Sequence, residues 1–290
     1  GLKAIAELAG VSPATVSRVI NNRPGVRQEM RQMVEEVIRQ YGLQVDVSAR
    51  ALKTRKTNRL AIIIPRAGDL IFANPYYTEI FRGLSSVVET MGYALDVMTG
   101  ATSETLHEVN RNRSCDAVLF IGFRKGVPDP RSLKGAVVPV ITIPRPGIRY
   151  RLPFVSMDDE TGTYEATKYL IGRGHKRIGL ISGARTSIFS ISRIPGFKRA
   201  FAEANLPFPQ DLIVDGQYTY EGAYEVAKGL LEVKPRPTAI IALSDLMALG
   251  ALSMVHEMGL SVPDDVALVG FGNTPISTYV TPKLTTVEEH

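Results

Sequence analysis

Cysteine is nearly absent from this 290-residue chain. The single one, Cys115, has no intrachain partner for a disulfide, and its place just before an apolar run suits a small buried hydrophobe better than a nucleophile. Histidine is equally sparse. His107, His175, His256 and His290 show neither an H-x-x-x-H nor a mixed Cys/His spacing, so no metal site is expected. No apolar run approaches the ~18 residues that span a bilayer, and no basic-apolar-small segment opens the chain, which predicts a cytoplasmic protein. Also missing are a G-x-G-x-x-G after a strand, a Walker A loop and a G-x-S-x-G elbow. The paired acids Asp158-Asp159 and Asp264-Asp265 are sequence neighbours, an arrangement more typical of solvated loop ends than of catalytic dyads. No catalytic residue and no cofactor is expected, and there is no internal repeat or low-complexity segment.

Net positive charge is lacking from most of the chain. Residues 1 to 59 hold eleven Lys and Arg against five Asp and Glu, whereas the rest hold 23 against 24. This segregation marks the N-terminal end as the part that meets a polyanion and leaves a near-neutral body.

In that basic end, the stretch from Lys3 to Asn21 has the spacing of a helix-turn-helix. Ile5, Ala6 and Ala9 share one face of a first helix, and Val16 and Val19 one face of a second. Ala6 and Ala9 are small enough for two helices joined by a turn of about three or four residues to cross closely. Gly10 sits where the first helix must stop, since glycine takes a left-handed conformation without a Cβ penalty. Ser12 is placed to cap the second helix, with Pro13 at its first position. The outer side of that helix carries Pro13, Ala14, Thr15, Ser17, Arg18 and Asn21, which suits a recognition helix in the major groove of duplex DNA. Arg18 can pair bidentately with a guanine, while Ser12, Thr15, Ser17 and Asn21 fit phosphate contacts that set register. An ordinary helical hairpin with a solvated polar face is the weaker alternative.

A third helix is predicted over Val26 to Tyr41, with Met30, Met33, Val34, Val37, Ile38 and Tyr41 at helical spacing and Gly42 as its stop. The following Asp46 to Lys53 segment can form a short helix with Asp46 as N-cap, but has too little apolar surface to fold alone. The words Ala-Gly-Val-Ser-x-Ala-Thr-Val-Ser-Arg-Val, from Ala9 to Val19, and Ala-Arg-x-Leu, from Ala49 to Leu52, resemble the headpiece and hinge of the LacI/GalR family of bacterial transcription regulators. The resemblance implies that Val47 to Lys53 forms a hinge helix on operator DNA, that two copies meet in the minor groove, and that Leu52 wedges between base pairs, with Ala49, Arg50 and Lys53 alongside. Val45-Asp46 stands where Pro-Asn is usual, placing a negative charge near phosphate. A plain linker remains the alternative for this segment.

From Leu60 the pattern changes to short apolar runs alternating with amphipathic helices. Strands are predicted at Leu60 to Pro65, Ala94 to Met98, Ala117 to Ile121, Val138 to Ile143, Ile178 to Ser182, Ala239 to Leu243 and Val266 to Phe271. Helices are predicted at Tyr76 to Met91, Gly162 to Gly172, Ser190 to Ala204, Thr219 to Glu232 and Asp245 to Met258. Such alternation means parallel sheets with helices on both faces, in an α/β body large enough for two subdomains. Arg173 to Gly179, Arg193 to Phe197, Ala248 to Leu252 and Val262 to Val266 continue the family resemblance. They imply a body like the type I periplasmic sugar-binding proteins, with two subdomains around a cleft. The expected division is a headpiece over 1–44, a hinge and linker over 45–59, and a body over 60–290 with subdomains at about 60–157 and 158–286. Relatives continue beyond the position of His290 with a helix and strands, so a C-terminal remainder is expected.

Ligands of parallel sheets bind outside the carboxyl ends of the strands. Candidates there are Tyr76, Tyr77, Phe123, Arg145, Asp158, Arg193, Tyr218, Ser244, Asp245 and Asn273. Tyr76 and Tyr77 fit equally well on a helix's core face, and Arg145 as a surface charge. Arg193 matches a ligand-binding arginine of the family. Three departures bear on the ligand. Relatives read Pro-Asp-x-x-Asn-Pro where this chain has Pro65-Arg66 and a longer loop to Asn74-Pro75, Gly-Tyr/Phe-Asp where it has Gly270-Phe271-Gly272-Asn273, and Asn-Asp where it has Ser244-Asp245. With two acids gone and an arginine gained, the expectation moves from a neutral sugar toward an anionic one. The whole reading is a homodimeric repressor of a catabolic operon, with a tetramer as the alternative assembly, set by a small-molecule effector. An activator or corepressor-dependent regulator on the same scaffold, or an α/β enzyme fused to a DNA-binding domain, are the alternatives.

Overall fold

The computed structural model describes residues 2–20, 23–41, 56–100, 102–122, 137–144 and 152–289. By contacts the chain divides into two units, Gly1–Thr57 and Asn58–His290. The first holds α1 (Leu2–Leu8), α2 (Pro13–Ile20) and α3 (Gln28–Tyr41). Ile5, Ala6, Ala9, Val16, Val19 and Val34 form its buried core, so the small alanines do lie where two helices press together. Gly10 takes φ +64°, and the Ser12 hydroxyl accepts the Thr15 backbone N–H at 3.1 Å, capping α2 ahead of Pro13. The buried stripe of α3 is narrower than its periodicity predicts. Val34 is buried and Val37 and Ile38 pack beside it, but Met30, Met33 and Tyr41 are exposed. Two helices of 7 and 8 residues are too short to cover the length of a 14-residue third.

The second unit contains two all-parallel sheets. In the first, β1 (Arg59–Ile64), β2 (Ala94–Thr99), β3 (Ala117–Ile121) and β4 (Val140–Ile143) run in the order β2-β1-β3-β4. Ile62, Ile63 and Ile64 are all fully buried, the continuous apolar run of a strand covered on both faces. Its helices are the short α4 (Gly68–Phe72), α5 (Pro75–Val88) and α6 (Ser103–Asn112). The second sheet contains β5 (Ile178–Ser182), β6 (Ile213–Asp215), β7 (Ala239–Ala242), β8 (Ala267–Gly272) and β9 (Thr285–Glu288), in the order β6-β5-β7-β8-β9. Around it lie α7 (Asp159–Gly172), α8 (Ile188–Glu203), α9 (Tyr220–Glu232) and α10 (Asp245–Glu257). Phe197, Phe201, Ile240 and Ile241 lie at the centre of its core.

A Cβ on Gly196 in α8 would lie 2.0 Å from the Glu160 carbonyl of α7, so this pair of helices touches backbone to backbone. At the start of the body, Asn58 is held on both sides: its N–H donates to Asp116 Oδ2 at 3.0 Å and its carbonyl accepts the Ala94 N–H at 2.9 Å. The edge strand β2 and the end of α5 leave Val97, Val87 and Met91 exposed. Among the described residues no helix is long and apolar enough to cross a membrane.

Candidate nucleic-acid interface and ligand cleft

The exposed side of α2 presents Pro13, Ala14 and Arg18, with Thr15 and Ser17 half-buried beside them. Ser12 is exposed as well, but its hydroxyl is engaged as the helix cap and lies 2.9 Å from the Thr15 hydroxyl. A cap of this kind fixes the first turn and hence the direction in which Arg18 leaves the helix. Of the other DNA candidates, Asn21, Ala49, Arg50, Leu52 and Lys53 lie outside the described residues.

A cleft in the body lies at the carboxyl ends of both sheets and encloses about 510 Å³ of atom-free space, including its open mouth. From the first sheet come Arg66, just past β1, and Asn74, Tyr76 and Tyr77 at the start of α5. Asn74 caps that helix by accepting the Tyr76 N–H at 3.0 Å, and Pro75 at the first position fixes where the two tyrosines point. From the second sheet come Tyr218, Ser244, Asp245, Phe271, Thr274 and Glu289, together with Phe189 and Arg193 of α8. Tyr76, Phe189 and Tyr218 meet edge to face across the cleft, with ring centres 5.4 and 6.1 Å apart.

Arg193 is the electrostatic centre of the cleft. Its Nε donates to Asp159 Oδ1 at 2.8 Å, Nη1 donates to the Leu243 carbonyl at 2.7 Å, and Nη2 donates to Glu289. The guanidinium stacks over Phe271 with its centre 3.8 Å from the ring centroid. Burial works against its charge, but the carboxylates of Glu289 and Asp159 outweigh burial and raise its pKa above the ordinary arginine value. Glu289 is itself pushed up by burial, and Arg193 pulls it back. Asp245 accepts the Thr274 N–H, the Thr274 hydroxyl and the Thr286 hydroxyl, which ties β8 and β9 to the start of α10. Two buried polar atoms, the Tyr76 hydroxyl and Arg66 Nε, have no hydrogen-bond partner among the described residues. Burial, followed by the charge of Glu289, raises the Tyr76 pKa well above the ordinary value, so the hydroxyl stays protonated. Arg66 also reaches across the cleft, its Nη2 donating to the Gln217 carbonyl at 3.3 Å.

Comparison with known proteins assigns the two units. Residues 1–44 match the family described as "Bacterial regulatory proteins, lacI family", and residues 167–290 match the periplasmic binding protein-like domain. Catabolite control protein A of Priestia megaterium is 34% identical over 98% of this chain and 85% of its own length. The chain belongs to the lacI family of bacterial transcription regulators. A second family relative, the regulator CelR of Thermobifida fusca, is 31% identical over 99% of this chain and 86% of its own length. Among solved structures, a CelR–cellobiose complex superposes with TM-score 0.75 at 29% identity, covering 100% of this chain and 88% of that one. The lac repressor dimer bound to operator and an anti-inducer has TM-score 0.84 at 22% identity, covering 100% and 87%, a likeness of fold. Family membership also sets aside the fused-enzyme alternative: this lacI-family chain is a regulator.

Of the sequence-predicted ligand residues, the fold brings Tyr76, Tyr77, Arg193, Tyr218, Ser244 and Asp245 to one cleft. Phe123 and Arg145 lie outside the described residues. Asp158 and Asn273 are misplaced by one position each. The Asp158 carboxylate caps α7 by accepting the Thr161 N–H at 3.0 Å, and it is Asp159, the next residue, that turns inward to Arg193. Asn273 is exposed at φ +46°, and its neighbour Thr274 faces the cleft. The two acids missing after the first strand and after Phe271 do not leave the site without carboxylates. Asp159, Asp245 and Glu289 converge on the site, so Arg193 is a paired cation and not a free one. Arg66, the arginine gained in the loop after the first strand, does line the cleft, whereas Phe189, Phe271, Thr274 and Glu289 were not among the expected ligand residues. Glu289 is 96 residues from Arg193. Its local signal is the β-branched run Thr285-Thr286-Val287, which places Glu289 just past a strand end.

Proposed function

We propose that this regulator is a homodimeric repressor whose affinity for operator DNA is set by a small metabolite held between the two halves of the body. One observation carries the reading: the cleft at the strand ends contains two buried polar atoms, on Tyr76 and Arg66, that lack partners among the described residues. A buried donor left unsatisfied is costly, and a polar ligand supplies the missing partner. The proposed division is a headpiece over 1–44, a hinge and linker over 45–59 and a body beyond, working in the cytoplasm where the operator is. Val87, Met91 and Val97, with the free edge of β2, favour pairing of two bodies through the first sheet. Ser12, Pro13, Ala14, Thr15, Ser17 and Arg18 are the proposed groove contacts. The complex of CelR with cellobiose makes a sugar the natural class of effector to test first.

The test is operator selection from random duplexes with the full chain, followed by fluorescence anisotropy at fixed salt with and without candidate sugars. Selection of a palindromic site whose occupancy a sugar changes severalfold supports the reading. Binding that is indifferent to sequence, or carried by residues 58–290 alone, overturns it.

A further inference from the structure

The inner part of the cleft contains charge of both signs. Asp159 and Glu289 pair with Arg193, Asp245 lines the cleft with its oxygens held by Thr274 and Thr286, and Arg66 lies at the cleft's other side. The Arg193, Asp159 and Glu289 side chains are only 5%, 3% and 10% exposed, so water does little to screen them. Among the described residues, two carboxylates already hold the Arg193 guanidinium before any ligand arrives. An incoming carboxylate or phosphate finds the strongest cation already engaged.

Hydrogen-bond polarity points the same way. Carboxylate oxygens only accept, so a group that approaches Glu289 has to donate; a hydroxyl or ammonium does, and an ionised acid does not. The Tyr76 hydroxyl beside it, neutral and unpartnered, both donates and accepts. The edge-to-face rings of Tyr76, Phe189 and Tyr218 add an apolar wall against which the carbon face of a ring lies flat.

On the reading of this cleft as the effector site, we propose that Glu289 sets its charge selectivity. By occupying Arg193, Glu289 makes the cleft take uncharged or amino-bearing polyhydroxyl ligands and refuse their anionic counterparts. Removing its charge frees one edge of the Arg193 guanidinium, since Asp159 then holds only Nε, and turns the site toward anions.

The experiment uses the full chain and a panel of uncharged hexoses, pentoses and disaccharides with their amino, acid and phosphate counterparts, read by calorimetry at constant ionic strength and neutral pH. The wild type is expected to bind uncharged or amino members at least about tenfold more tightly than the matched anions. Glu289→Gln should reverse or erase that preference and bind inorganic phosphate saturably. Glu289→Asp should keep the wild-type preference, and Glu165→Gln, on the exposed side of α7, should bind as wild type does. A wild type that prefers the anionic member, or a folded Glu289→Gln protein with unchanged charge preference, overturns the proposal. Gly183→Ala separates this outcome from failure of the effector-site reading. A Cβ at residue 183 would sit 2.0 Å from the Tyr218 ring and drive it into the cleft. If that variant loses the ligand while the charge series is flat, the selectivity proposal alone fails. If it binds every ligand as before, the cleft is not the effector site and both fail.

Discussion

Replacing Gly196 by alanine should damage this protein, against the ordinary rule that Gly→Ala inside a helix stabilises. The rule gives a gain of roughly 0.5–1 kcal/mol from the lost freedom of the unfolded chain. At Gly196 the new methyl would sit 2.0 Å from the Glu160 carbonyl oxygen and 2.8 Å from the Tyr164 backbone nitrogen, the first about 1.5 Å inside van der Waals contact. Both neighbours are backbone, so relief comes only by separating α8 from α7. Overpacking of this kind costs about 1–3 kcal/mol. Arg193, one helical turn away, is pulled from Asp159 on the facing helix, and losing a buried charge pair costs about 3–5 kcal/mol when complete. With the pair stretched but not broken, the net expectation is a loss of about 3 kcal/mol. For a body of this size that lowers Tm by about 6–12 °C. Gly229, also inside a helix, has nothing within 4 Å of its would-be Cβ, and Gly229→Ala should raise Tm by about 1–4 °C. Calorimetric melting of the two variants beside wild type is the measurement. If Gly196→Ala melts at or above wild type, or if both variants shift in the same direction, the backbone-to-backbone packing of α7 on α8 is wrong.

Other outcomes follow from the same geometry. Ser12→Ala should destabilise the headpiece by about 1 kcal/mol, while Ser12→Asn should be nearly neutral, as read by circular dichroism melts of the full chain. Arg18→Ala should cost about 1–3 kcal/mol of operator binding and relax preference at one base pair of each half-site; unchanged affinity and sequence preference in anisotropy would remove it from the reading surface. The Asp158 carboxyl is held below its usual range by the Thr161 N–H, then by the Thr161 hydroxyl, so it stabilises the fold above its unfolded pKa and loses that effect as pH falls through its folded one. Acid titration should therefore show a step in stability below about pH 4 that Asp158→Asn removes.

The headpiece was legible in the sequence because its signals are local: glycine, cap and proline fall within four positions of one another, and the apolar phase of each helix needs no distant partner. The central strands were equally open, being unbroken apolar runs. The misses have physical reasons. β6 has only three residues, β9 is a half-polar edge strand, and α6 buries little beyond Leu106 and Val109. The one good local sign of α6 was the reciprocal pair Thr102 and Thr105, which forms a capping box with threonine in the place usually taken by Glu or Gln. In the cleft, single-residue errors at Asp158 and Asn273 arose because the direction of a side chain at a helix start or a strand end depends on local backbone angles that periodicity does not encode. The pairing of Arg193 with Glu289 joins an internal helix to the end of the last strand, and only the assembled sheet brings them together.

The grip on Asn58 has a mechanical consequence. With its N–H tied to Asp116 beside β3 and its carbonyl tied to Ala94 at the head of β2, this residue is welded to two strands and moves as part of the sheet. A rotation of the sheet therefore carries Asn58 with it. Play in the coupling is then a matter of tether length. Each residue inserted before Lys56 adds up to about 3.5 Å of free travel, and one or two glycines there should uncouple operator occupancy from the metabolite while both still bind.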